Sequence, residues 1–223
     1  MTETIKLTAA DGHTFSAYVA NPQGTPRGAI IVVPEIFGVN HHIRGVTDRF
    51  SRDGYVAISP ALFDRIERNV DMGYNADTVA RGRQIKAQIT SDMAMADLAV
   101  TRDHVAAHGK VGIVGYCWGG FITWLAAAHL PGISCAVPYY GGGMLEHPDL
   151  VPNVPVMGHF GERDAILPVI GVKQLAAKHP THKFFIYSAD HGFNCDERGS
   201  YDKAAADLAR ERTLAFFRQH VGQ

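Results

Sequence analysis

The run Ala29-Ile30-Ile31-Val32-Val33 has no polar side chain on either of its two alternating faces, so a strand built from it must be covered on both sides. A sheet with one wet face has no place for such a strand. Residues 56–59, 111–115, 134–139 and 156–160 share the same character, and 183–187 form a sixth candidate that alternates. Helix-length stretches lie between them, at 43–52, 77–107, 118–128, 168–178 and 203–220. Strands alternating with helices predict an α/β fold with a mostly parallel sheet and helices on both of its faces. Two short β-rich stretches, 4–7 and 14–19, bracket Asp11-Gly12 and predict an antiparallel hairpin at the amino end. Inside 77–107, Ile89-Thr90-Ser91-Asp92 offers a break followed by capping chemistry, which splits the segment into two helices.

No linker or repeat interrupts the pattern, and 223 residues suit one domain spanning 1–223. With 46% hydrophobic and 19% charged residues the chain can bury a large core and is not disordered. Its 21 Lys+Arg against 22 Asp+Glu leave no basic field for a phosphate backbone, so nucleic acid is excluded as an expected partner. Apolar runs stay far below the ~20 residues of a membrane span, and the opening MTETIKLTAADG lacks a basic or apolar leader, which points to the cytosol. A monomer or small homo-oligomer is expected. Three scattered cysteines, Cys117, Cys135 and Cys195, make neither a disulfide framework nor a zinc site, but leave room for a reactive thiol. His41-His42 and the His104/His108 pair have no second ligand pair beside them, so no metal and no cofactor are expected.

In an open α/β sheet the chemistry gathers outside the carboxyl ends of the strands. There the chain reads Gly115-Tyr116-Cys117-Trp118-Gly119, a strand, a tight turn and a helix in the pattern Gly-x-nucleophile-x-Gly, with cysteine in the usual serine position. Cys117 then sits at a helix amino terminus, where the dipole favours a thiolate and unpaired N–H groups can receive an oxyanion. The glycine spacing does not fit a dinucleotide-binding turn. An activated nucleophile needs a base and a group that orients it, in the chain order nucleophile, acid, histidine. Asp164 follows one strand end and His191 the next, in that order. Taken singly, Asp164 is equally a helix cap and His191 a surface histidine; the joint placement at three strand ends is what selects them. Glu35 follows Val33-Pro34 in the loop that normally supplies the second oxyanion donor, where its other reading is a solvated carboxylate.

Together Val33-Pro34-Glu35-Ile36-Phe37-Gly38, Gly115-Tyr116-Cys117-Trp118-Gly119-Gly120, Gly161-Glu162-Arg163-Asp164 and His191-Gly192-Phe193, followed by Arg198, Tyr201 and Arg212, resemble the dienelactone hydrolase family, a branch of the α/β-hydrolase fold. The resemblance covers nearly the whole chain. It implies a cofactor-free, cysteine-dependent hydrolase of a lactone or small ester, of carboxymethylenebutenolidase type, working through a thioester. It further implies Cys117 as nucleophile, His191 as base, Asp164 as its orienter, the N–H groups of Ile36 and Trp118 as oxyanion hole, and Glu35 in contact with the resting thiol. The family's substrate side maps onto Arg198, Tyr140, Arg81, Arg83 and Phe37. Two departures bear on substrate. The family archetypes carry an arginine four residues after the histidine, where this chain has Cys195, and a tyrosine beside the arginines of the helical region, which is missing near Arg81 and Arg83. A general carboxylesterase or thioesterase with an uncharged substrate therefore stays open, as does a non-catalytic small-molecule binding protein on the same fold.

Overall fold

The computed structural model describes residues 1–222. Strands β1 (Thr2–Thr8) and β2 (Thr14–Ala20) form the amino-terminal hairpin, antiparallel with Thr2 opposite Ala20. Then follow β3 (Ala29–Val33), α1 (His41–Arg52), β4 (Val56–Pro60), α2 (Ala76–Lys86), α3 (Ser91–Val105), β5 (Val111–Tyr116), α4 (Trp118–His129), β6 (Ile133–Tyr139), β7 (Met157–Gly161), α5 (Val169–Lys178), β8 (Lys183–Tyr187) and α6 (Lys203–His220). One sheet takes the order β1-β2-β4-β3-β5-β6-β7-β8, parallel from β4 to β8, with the hairpin joined antiparallel through β2 and β4.

The all-apolar runs take the positions their composition demands. Every residue of β3, β4 and β5 is buried. The alternating strand β8 lies at the edge, with Lys183 facing water, as an edge that must not recruit another chain requires. Capping fixes the helix starts. Thr90 accepts from the Met93 N–H and opens α3, while Asn75 and Thr78 form a reciprocal box at α2, so the segment 77–107 is two helices.

Alternation along β5 shows that the sheet is covered on both faces. A side chain on Gly112 would run into Phe217 of α6 and Val221, whereas one on Gly115 would meet Thr123 of α4, and positions three apart on a strand face opposite ways. Helix α1 joins α6 through Phe50 and Phe217, whose rings lie 5.7 Å apart. From β3 the chain crosses to β4 on one side, and β5 lies on the other. The loops leaving β3 and β5 thus diverge and open a crevice at their carboxyl ends. Among the described residues no helix is long and apolar enough to cross a membrane.

Candidate active site

The crevice between β3 and β5 holds Cys117. It has φ 54° and ψ −117°, a left-handed conformation that costs a non-glycine residue on the order of 1–3 kcal/mol. Surrounding packing imposes that strain. A Cβ on Gly115 would lie 2.1 Å from the Gly119 carbonyl oxygen, and one on Gly119 would lie 2.4 Å from the carbonyl oxygens of Val33 and Pro34. Only glycines let β5, α4 and the β3 loop approach this closely. The Cys117 N–H donates to the Tyr139 carbonyl at 3.1 Å, leaving the half-buried thiol at the amino end of α4. Trp118 is the first residue of α4, so its N–H has no acceptor within the helix.

Asp164 and His191, from the loops after β7 and β8, meet beside it. Asp164 Oδ1 accepts the N–H groups of Ile166 at 2.8 Å and Leu167 at 3.1 Å, which locks the carboxylate. Its Oδ2 lies 2.8 Å from His191 Nδ1. An ionised carboxylate only accepts, so Nδ1 keeps a proton in both charge states of the ring and Nε2 is the nitrogen that gains or loses one. Nε2 is buried and makes no hydrogen bond. Burial alone would push the imidazole pKa down, but the Asp164 hydrogen bond and the nearby Cys117 sulfur outweigh it and raise the pKa to about 10. A raised histidine pKa stabilises the fold fully below its unfolded value of about 6.5, and that contribution is lost as pH climbs through about 10. In an NMR titration His191 is expected to hold its proton beyond pH 8, and in Asp164→Asn to release it at least a unit earlier. Titration near 6.5 in the wild type would show that Asp164 does not govern the ring.

Glu35 departs from both of its expectations. It is 1% exposed, not solvated, and it turns to Arg198 instead of the thiol: Arg198 Nη1 donates to Oε1 at 3.0 Å. A carboxylate taken so far out of water needs a counter-charge, and the loop after His191 delivers one. The guanidinium is flanked by the rings of Phe37 at 5.8 Å and Tyr74 at 5.7 Å. Oε2 is buried and accepts no hydrogen bond from the described residues. Glu35→Gln keeps the shape but leaves the Arg198 cation facing a neutral amide oxygen. It is expected to cost about 1.5–3 kcal/mol in urea unfolding and to lower kcat at least about tenfold. Unchanged kcat with the stability loss present would leave Glu35 a purely structural charge.

A cavity of about 320 Å³ opens over Cys117 and His191, and Ile36, Phe37, Trp118, Arg83 and Arg198 share its wall. Arg81 does not reach it. Residues two apart point to opposite sides of a helix; Arg81 is exposed and pairs with Glu67, while Val79, Arg83 and Lys86, spaced four and three apart, form the cavity-facing stripe of α2. Tyr140 is likewise not on the wall. It is fully buried at φ 37°, edge-on to His191 with ring centroids 5.1 Å apart, and so backs the imidazole. Lys86, Leu145 and Ile166 also line the cavity and Tyr74 flanks Arg198; their sequence surroundings carry no motif, and the 3.6-residue period of α2 signals only Lys86.

One trio of metal-ligand types comes together among the described residues: His42, Cys195 and Asp196, within 4.8 Å of one another. His42 Nδ1 is already bonded to Asp196 at 2.9 Å, and burial, with the Glu35 charge next, pushes the Cys195 thiol up to about 12. Together with His41–Glu197 the trio ties the loop carrying Arg198 to the start of α1.

A mostly parallel eight-stranded sheet, a strained residue between strand and helix at its centre, and an Asp–His pair on the two following strand ends define an α/β-hydrolase. The model of the dienelactone hydrolase family matches residues 15–221, and the chain belongs to that family. Carboxymethylenebutenolidase of Pseudomonas putida is 33% identical over 229 residues, covering 97% of this chain and 96% of its own. A Synechocystis protein provisionally named carboxymethylenebutenolidase is 34% identical over 228 residues, covering 93% and 92%. A crystal structure from Klebsiella pneumoniae, provisionally named a dienelactone hydrolase, superposes with a TM-score of 0.85 at 32% identity over 99% of this chain and 100% of that one. The chain is a hydrolase of ester or lactone bonds.

Proposed function

We propose that the protein opens a carboxylate-bearing lactone or ester through a thioester on Cys117. The observation that carries this reading is the strained, half-exposed Cys117 standing beside the His191–Asp164 pair at the floor of one cavity. His191 Nε2 takes the thiol proton, and Asp164 holds the ring and favours the imidazolium that results. Sulfur adds to the carbonyl carbon, and the oxygen anion is received by the N–H groups of Ile36 and Trp118. Collapse of this intermediate expels the alkoxide, which takes the proton back from His191; in a lactone it stays tethered to the acyl group. Water, deprotonated by the same nitrogen, then cleaves the thioester and frees the thiol. No cofactor enters these steps.

Arg83, Lys86 and Arg198 line the cavity with Glu146, and with Glu35 answering Arg198 one positive charge is left over, which favours an anionic substrate. Arg198 spends one of its donors on Glu35 and keeps others for a ligand. A charge-assisted hydrogen bond is worth about 1.5–3 kcal/mol, so kcat/KM for a carboxylated lactone is expected to exceed that for its methyl ester at least about tenfold. Arg83→Met should shrink the ratio, and quenched reactions should show the acyl mass on the Cys117 peptide. A ratio near one in both proteins would promote a general esterase with uncharged substrates; an acyl group on another residue would overturn the nucleophile.

A further inference from the structure

A second concavity, a groove of about 640 Å³, runs along α5 beside the active-site cavity, with Leu145, Pro148, Gly171 and Leu175 in its wall. Leu145 lines both spaces, so one side chain divides them. It belongs to the short turn Met144–Glu146 that follows Gly141-Gly142-Gly143; Met144 is fully buried and anchors the turn, whereas Leu145 is half-buried. Gly171 supplies an independent observation. It sits inside α5, where glycine costs helix stability relative to alanine, and its φ is not the positive one that would call for glycine. A Cβ there would stand 2.7 Å from Leu145 Cδ1, so the missing side chain is space given to the tip of Leu145. Ile166 in the cavity wall is 52% exposed, and Ile170, beside Gly171 in α5, is 69% exposed. Lys178 is the only charged side chain in the groove wall and already pairs with Asp149. A polar or anionic group would find little there, but hydrocarbon would leave water.

We propose that this groove is a subsite for a hydrocarbon arm of the substrate, entered past Leu145, whose side chain sets the length of arm accepted. The inference rests on the hydrolase reading of the adjoining cavity. Each methylene buried is worth up to about fourfold in specificity constant.

The wild-type enzyme is therefore expected to turn over p-nitrophenyl octanoate with at least about tenfold higher kcat/KM than the butyrate. Leu145→Ala should raise the octanoate-to-butyrate ratio at least about threefold, and Gly171→Val should bring it near one. Calorimetry of octanoate itself reads the groove without turnover: Gly171→Val should bind it at least about tenfold more weakly. A wild type that hydrolyses both esters without regard to chain length overturns the subsite and leaves the hydrolase reading intact. If neither p-nitrophenyl ester is turned over, the hydrolase reading fails separately only if carboxylated lactones are not turned over either, and calorimetry decides the subsite: equal octanoate binding by wild type and Gly171→Val overturns it. A ratio unmoved in both variants also overturns it, as does a ratio that falls with protein concentration while sedimentation shows dimers, which gives the face to a second copy. Should Gly171→Val not fold, the wild-type chain-length profile and Leu145→Ala decide.

Discussion

Cys117→Ala is expected to lower kcat/KM by at least about 10⁴-fold while leaving the fold in place. On the thioester reading, removing the sulfur removes the covalent step, and what remains is binding and the oxyanion donors. The variant's stability should change little, because the strain at φ 54° stays and the small side chain lost is half-buried. Cys117→Ser should recover little, since a hydroxyl is much harder to ionise beside the same histidine. Alkylation gives the check without mutation. Burial pushes the Cys135 thiol well above its ordinary range, and burial with the Glu35 charge holds Cys195 up at about 12, so neither competes for the reagent. Activity should fall in step with the mass change on the Cys117 peptide. Turnover that survives its complete modification would sink the assignment.

Local chemistry makes most of this site legible in the sequence. The strand runs are apolar on both faces because the sheet is covered on both faces, and Gly115-x-Cys117-x-Gly119 is readable because close backbone approach excludes side chains within five consecutive residues. Asp164 and His191, which meet at 2.8 Å, are readable by their rank along the chain, since in a parallel sheet each strand end returns to the same edge. What stayed hidden depends on side-chain direction across long separations. Glu35 and Arg198 are 163 residues apart, and nothing near either one announces that the carboxylate is buried and needs that partner. Tyr140 matches the family pattern in sequence, but the backbone at φ 37° turns its ring behind His191 instead of into the cavity. Arg81 and Arg83 were inseparable as letters and are separated only by which face of α2 meets the β3 loop. The space along α5 belongs to a glycine inside a helix, a position that composition reads as mere weakness.

Asp164→Asn should cost about 10³- to 10⁴-fold in kcat, far more than its size suggests. The change is nearly isosteric, and the two N–H donors of Ile166 and Leu167 keep an oxygen to bind at the Oδ1 position. That anchoring forces the new amide to the Oδ2 side, where it faces His191 as a donor. A donor cannot accept the Nδ1 proton at 2.8 Å, so the neutral ring is held as the Nε2–H tautomer, which cannot take a proton from the thiol. It also loses the charge that raises the His191 pKa, so the imidazolium needed in each proton transfer becomes harder to form. Urea unfolding should show a modest stability loss that is largest near pH 6 and shrinks as pH climbs through about 10, where wild-type His191 gives up its proton. A variant with near wild-type kcat, or with a loss that does not change across that pH window, would show that Asp164 caps its loop and does not orient the base.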